Sequence, residues 1–385
     1  MNFRATITGT SAAESKTIRS RAVNSKTAAA AGESRAADSI AASSGQNGVL
    51  LSICIPTFNR ARYLPETLES LTAQLAPGAE LLVYDTGSTD GTAELMQEFT
   101  RRFPAIRFFH LSERRGIDET LLLLLGEARG EYVWYFGSDD TLKPGAVESV
   151  LRRILASPIR PSLVFLNHEV VDDSGRLLIA RNLPATRDRT FSDGRRAAAW
   201  LALHLGFVSA CIFRRTAPPA EASEFVGSLW VGAYLNLRSL AAGGPALYVG
   251  SPQVRARRNP GNVYDYGEVF CRQASRVFWS ARRLGIGWFT LYRAMNRTVR
   301  LFHLRFVISR RCDDAAGLRR VFPAMRRVCW KYPWFWLLVV PARLCPPRVA
   351  RALRDALRTR RARQSKRIDS RWPGSQEPVR QQSEP

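Results

Sequence analysis

Among the six cysteines, Cys54, Cys211, Cys271, Cys312, Cys329 and Cys345, there is no C-x-x-C pair and no metal-ligand spacing. They read as reduced core or surface thiols of a cytosolic chain. Long apolar runs are missing too. The longest candidates, 121–125 and 334–340, fall well short of the run a bilayer-spanning helix needs, which argues against a conventional transmembrane span. Residues 1–48 have no apolar periodicity and no run resembling a secretory signal. Their Ala, Ser and Arg content has the look of a transit peptide, but a flexible tail or a misplaced start is the simpler account. Glutamate is absent from Cys271 to Ser370, where 25 Lys/Arg face 4 Asp, leaving +21 of the chain's formal +24. So local a basic excess calls for an anionic partner, either nucleic acid or an anionic membrane surface.

What the chain does have, from Val49 onward, is alternation. Short apolar runs at Val49–Ile55, Glu80–Tyr84, Ile106–Phe109 and Tyr132–Phe136 read as strands. Between them, Leu64, Leu68, Leu71 and Leu75, then Leu95, Met96, Phe99 and Phe103, then the stretch Gly116–Ala128 read as helices. Strands separated by helices of this size predict an α/β fold with a mostly parallel sheet and crossover helices. The loops after the first, second and fourth strands are rich in Asp, Asn, Thr and Gly, and a parallel sheet puts them on one edge, where ligands bind. The fourth ends in Gly137-Ser138-Asp139-Asp140, before a helix marked by Val147, Val150, Leu151 and Ile154. Adjacent carboxylates repel unless a cation or hydroxyl donors occupy the site. A hard divalent ion shared with a diphosphate meets that need, and Mg or Mn fits oxygen ligands.

Three stretches in this order, SICIPTFNRARYLPETLESL, VYDTGSTDGT and GEYVWYFGSDDTLKPGAV, resemble the family-2 glycosyltransferases of GT-A type (Rossmann-like), and within them the abequosyltransferase-like branch. The resemblance runs from about Leu51 to Leu155 and continues more loosely through Gly206–Arg215 to Val254–Asn262. It implies a metal-dependent transfer of a hexosyl or deoxyhexosyl group from a nucleotide-diphosphate sugar. Carried over by position, Pro56, Thr57, Asn59 and Arg60 lie by the nucleotide base, Asp85 at base and ribose, Asp139 on the ribose side, and Asp140 on the metal. Thr86 stands where the family has a second acid. A hydroxyl both donates and accepts, so the donor base is open between uridine, cytidine and thymidine. Gly137 replaces the first acid of the family's DxD. Asp118 keeps part of a further motif and is expected to contact the nucleotide or to cap its own helix. The family's catalytic base is expected in EFVGSLWVGAYLNL, where Gly227-Ser228 stand in place of an acidic pair. Glu224 is the acid chosen for that role.

Beyond the fourth helix, Ser162–Glu169 and Leu177–Ala180 read as a hairpin with His168 in its polar, exposed end. The expected organisation is a tail over 1–48, a nucleotide-sugar and acceptor domain over 49–265, a basic helical region over 266–367 and a polar tail over 368–385. In the basic region Trp288, Leu291, Tyr292, Met295, Val299 and Phe302 line one helix face, with Arg293, Arg297 and Arg300 opposite. The run Tyr332–Val340 sits between basic clusters, and its Trp334 and Trp336 suit a wedge entering a headgroup layer without spanning it. The leading expectation is a glycosyltransferase on the cytoplasmic membrane face, acting on a saccharide or lipid-linked saccharide. Two alternatives stand beside it: a nucleotide-sugar-binding relative without turnover, and a nucleic-acid binder through the basic third. No nucleic-acid motif supports the last, so no nucleic-acid partner is expected.

Overall fold

The computed structural model describes residues 48–258 and 264–369. Residues 1–47 of the expected tail over 1–48, residues 370–385 of that over 368–385, and Asn259–Asn262 of the quoted Val254–Asn262 stretch lie outside the described residues.

The chain alternates as the apolar spacing predicts: β1 Leu51–Thr57, α1 Leu64–Thr72, β2 Ala79–Thr86, α2 Thr92–Arg102, β3 Ile106–Leu111, α3 Ile117–Glu127 and β4 Tyr132–Tyr135. A two-residue strand, β5 Thr141–Leu142, then leads into α4 Ala146–Ala156. The second half follows with β6 Leu163–Val171, β7 Leu177–Ile179, β8 Arg189–Phe191, α5 Gly194–Leu201, β9 Cys211–Arg214, α6 Val231–Ala241 and β10 Ala246–Arg257. Along the sheet the order is β3-β2-β1-β4-β9-β6-β10-β5, with β7 on β6 and β8 on β10. The β3-β2-β1-β4 neighbours are all parallel, and β9 is inserted antiparallel between β4 and β6.

Period-two alternation sends each strand's side chains to two separate cores. Ile53, Ile55, Trp134 and Phe136 meet Leu68 of α1, Phe99 of α2 and Val150 of α4 on one face. Cys54, Val133, Tyr135 and Phe213 meet Leu124 of α3 and Leu235 of α6 on the other. Gly91 and Gly145 take left-handed turns (φ 87° and 76°) to start α2 and α4, a conformation a Cβ would strain.

The basic third is helical: α7 Ala274–Ser280, α8 Trp288–Thr298, α9 Leu304–Asp313, α10 Ala315–Cys329, α11 Val340–Leu344 and α12 Pro347–Asp369. Wider π-helical turns over Gly267–Gln273, Val299–His303 and Phe335–Val339 join several of them. These helices share the core behind α3 and α6, through Phe278, Leu291, Met295, Met325 and Phe335. No helix among the described residues is long and apolar enough to cross a membrane. The described cysteines are all free thiols.

Three expectations are corrected. His168 is buried, not exposed, with its ring 4.4 Å from that of Phe207. Trp288 lies 53% exposed in the first turn of α8, stacked on Tyr292, rather than buried with Leu291 and Met295. The apolar run at 332–340 is not one wedge. Helical periodicity buries Tyr332, Phe335 and Val339, leaves Trp334 half-buried under Arg300, and exposes Pro333, Trp336 and Leu337, the last two at 52% and 64%.

Candidate nucleotide-sugar site

The carboxyl ends of β1, β2 and β3 set Thr57, Asp85 and His110 in register across the sheet. Asp85 is fully buried. Its Oδ1 accepts from Ser88 Oγ at 2.5 Å, and its Oδ2 lies 2.9 Å from His110 Nδ1. The loops after β1 and β2 are laced together. Asn59 N donates to Ser88 Oγ, Thr89 N donates to Asn59 Oδ1 (both 2.8 Å), and Ala61 N donates to Asp90 Oδ2. Asn59 adopts φ 51°, tolerable because its short polar side chain makes that local bond. Gly87 presses the β2 loop on the next one: a Cβ there would lie 3.0 Å from Arg114 N. Pro56 is buried at the end of β1. Thr57 is buried too, and its Oγ1 has no hydrogen-bond partner among the described residues, an orphaned donor at the rim. The backbone N–H of Arg60 bonds Thr92 Oγ1, and Thr86 Oγ1 reaches Arg115 O at 3.5 Å.

The acid pair stands on the same edge, after β4. Asp140 is buried; its Oδ2 accepts from Ser209 Oγ at 2.6 Å and its Oδ1 from the Arg257 backbone N–H at 2.9 Å. Ser209 also accepts from Gly137 N at 2.9 Å, tying the acid loop to the entry of β9. Burial, and then the Asp139 charge, push the Asp140 carboxyl up to about 7, because the charged form loses its water. A Cβ on Gly137 would lie 2.9 Å from Asp140 Oδ2, so glycine here is what lets both carboxylates fold over the turn. Arg257, at the end of β10, fastens the loops around the pair. Its guanidinium donates to Asp139 O (3.2 Å) and Asp173 O (2.9 Å), pairs with Glu66 of α1, and lies over the Tyr63 ring.

Two expected residues sit elsewhere. Asp118 is buried, but its carboxylate turns to the start of α6, where Oδ2 accepts from Leu229 N (2.7 Å) and Oδ1 from Val231 N (3.1 Å). It caps a helix other than its own and has both oxygens engaged, so it is a clamp on the 227–231 loop. Glu224 is also displaced from the expected role. Both its oxygens are forked by Arg283, at 2.8 and 3.1 Å, and that guanidinium holds its carboxyl below the usual range, the reverse of what a proton acceptor needs. Ser228 is buried with its Oγ accepting from Trp230 N.

Ser209, His110 and Arg257 were not singled out in the sequence. Ser209 and Arg257 lie within the quoted Gly206–Arg215 and Val254–Asn262 stretches, which was the available signal. His110 had none: it is one residue at a strand end.

Among the described residues no three His, Cys, Asp or Glu side chains converge as a complete metal cage. Two adjacent carboxylates, one of them short of counter-charge, fit an ion that takes its other oxygens from a bound diphosphate and water.

A parallel sheet with acids at this edge defines a GT-A-type α/β fold. Residues 52–217 match the family model "Glycosyl transferase family 2", and this region is a family-2 glycosyltransferase domain. Among curated proteins, the abequosyltransferase RfbV of Salmonella typhimurium is 40% identical over 98 residues, 24% of this chain and 29% of that one. The putative teichuronic acid biosynthesis glycosyltransferase TuaG of Bacillus subtilis is 31% identical over 102 residues, 26% and 40% of the two chains. The chain thus spans well under half the length of these relatives. Among solved structures, Staphylococcus aureus TarS residues 1–349, in complex with UDP-GlcNAc, superimposes with a TM-score of 0.53 at 17% identity, covering 81% of this chain and 92% of that one.

Proposed function

We propose that this protein transfers a sugar, hexosyl or deoxyhexosyl, from a nucleoside-diphosphate sugar to a saccharide acceptor. The observation that carries the reading is the Asp139–Asp140 pair at the carboxyl end of β4, with Asp140 held by Ser209 and Arg257 in a setting that raises its proton affinity. Thr57, Asn59, Arg60, Asp85 and Thr86 line the nucleotide side of the same edge. Asp139 faces the ribose, and Asp140 with its neighbour holds Mg or Mn. When bound, that ion neutralises charge on the diphosphate leaving group. The chain's own part is to fix the acid loop through Ser209, Gly137 and Arg257, and to shield Asp140 from water by burying it.

The names of the relatives support a surface-glycan precursor as acceptor. The basic third supports attachment to the inner membrane face, where a lipid-linked saccharide is reached. Its exposed Trp330, Trp336, Leu337 and Leu344 stand among arginines, a surface suited to anionic headgroups. Thr86 leaves the donor base open, and the solved TarS complex makes uridine the first to test.

A second reading, binding without turnover, is favoured by one observation: the loop at 226–230 carries no carboxylate, and Glu224, just before it, is tied to Arg283. A thermal-shift screen of UDP, GDP, CDP and dTDP with Mn tests the site, because a ligand of the native state raises its stability. The reading expects one diphosphate to raise the melting temperature only with Mn present, followed by nucleotide-sugar turnover. A shift without turnover selects the binding protein, and no shift with any of the four rejects the site.

A further inference from the structure

Away from the sheet edge, a pocket of about 700 Å³ opens between α5, α8 and the half-buried Trp334. Its volume suits a small molecule rather than a duplex or a protein surface. Arg196, Arg293, Arg297 and Arg300 all line it, and no carboxylate does. None of the four makes an ion pair among the described residues, while elsewhere in the chain many arginines do.

The faces of three of these guanidiniums are already used. Arg297 lies 5.5 Å from the Trp200 ring centre, Arg300 5.7 Å from that of Trp334 and Arg293 5.6 Å from that of Phe289. Stacking on a ring leaves the N–H edges of a guanidinium open for a fork-like bond to an oxyanion. One donor, Arg297 Nε, is buried with no acceptor, and Asn296 Oδ1 of the same lining is buried with no donor. Partial burial, and then Arg300 and Arg189, push the Arg297 guanidinium down in pKa, the response of a half-desolvated cation beside other cations. Buried charges of one sign are stable beside a partner of the other. Exposed Phe289 at the rim and Trp200 in the wall add apolar surface beside the cations.

We propose that this pocket binds a phosphate or diphosphate ester, its oxyanion forked by Arg293, Arg297 and Arg300 and its sugar or lipid part against Trp200, Trp334 and Phe289. Planar guanidiniums match a phosphate's paired oxygens, and charge-assisted bonds of this kind are the strong ones. The inference stands apart from the transfer reading, since it uses none of the residues on the sheet edge. The ester has two sources, the headgroup of a membrane lipid or a soluble sugar phosphate.

The test is calorimetric titration of the full chain with inorganic pyrophosphate in EDTA, where the Asp139–Asp140 pair has no metal with which to hold an anion. Arg293→Ser combined with Arg300→Ser removes two exposed members of the cluster and leaves the packed core in place. Saturable binding that weakens about tenfold or more in this double variant, and stays within about twofold in Arg319→Ser on α10, supports the pocket. Competition between pyrophosphate and phosphatidylcholine vesicles doped with phosphatidic acid then assigns a lipid headgroup. Pyrophosphate binding without competition assigns a soluble ester. Absence of saturable binding, or equal loss in Arg319→Ser and the double variant, overturns the proposal.

Discussion

In the sheet half of the molecule, arginines are met by carboxylates. Arg107 bridges Glu80 and Glu127, Lys143 and Arg255 share Glu169, and Arg257 reaches Glu66. In the helical third such pairs exist, as in Arg283 with Glu224 and Arg354 with Asp313, yet Arg293, Arg297 and Arg300 rest on aromatic rings. The exception in each half is opposite in sign. At the sheet edge, Asp140 meets a hydroxyl and a backbone N–H rather than a cationic side chain. In the pocket between α5 and α8, Arg196, Arg293, Arg297 and Arg300 pair with no carboxylate among the described residues. On the proposed readings, an excess of one sign that folding leaves uncompensated is where a ligand of the other sign binds: a cation and its diphosphate in the first half, an anion in the second.

The sharpest way to break this contrast is Asp140→Asn. Transfer should fall by at least about a hundredfold, since an ion stabilising the leaving diphosphate contributes several kcal/mol; a sugar-transfer assay within a few-fold of wild type removes the metal role. Stability moves the other way. The folded pKa is raised, so the contribution of protonated Asp140 is complete at low pH and is lost as pH rises through about 7. In EDTA the Asn variant should therefore melt above wild type on the alkaline side of that value, with the gap closing as pH falls through it.

Asp118→Ala separates a clamp from a ligand contact. Leaving Leu229 N and Val231 N without their acceptor should cost about 1–3 kcal/mol, read by denaturant unfolding, with nucleotide affinity nearly unchanged. A large loss of affinity at unchanged stability would return Asp118 to the nucleotide.

His303 carries the comparison into the helical third. It is fully buried, with Nδ1 3.0 Å from Tyr266 Oη, and burial pushes its pKa down to about 4. Between about 4 and the ordinary 6.5 the unfolded chain binds a proton that the folded chain does not, so stability falls as pH drops through that window. His303→Gln should flatten that part of the pH–melting curve, and an unchanged slope would place the acid sensitivity elsewhere. The smallest effect on the fold belongs to Trp336→Ser with Leu337→Ser. Both side chains are exposed, so stability should stay within about 0.5 kcal/mol, while retention on anionic vesicles after salt washing drops. Full retention would move the membrane contact to another face.

The pattern of these residues shows what a sequence exposes. Strand and helix order was legible because apolar spacing is local: Leu64, Leu68 and Leu71 all face one core. The acid pair was legible for the same reason, as a small turn after a buried strand. What was not legible depends on partners far along the chain. Asp118 is 111 residues from Leu229, and Asp140 is 69 from Ser209 and 117 from Arg257. The apolar run near Trp334 looked like one wedge because composition does not say which side of a helix meets a neighbour. Glu224 looked available because its partner Arg283 is 59 residues further along the chain.

The most direct test is to titrate Mn against the full chain with and without UDP, following free Mn by electron paramagnetic resonance, beside Asp140→Asn. The account predicts that wild type takes up Mn far more tightly when the diphosphate is present, and that the variant loses this uptake. Mn uptake unchanged in Asp140→Asn, or nucleotide binding equally tight in EDTA, would contradict it.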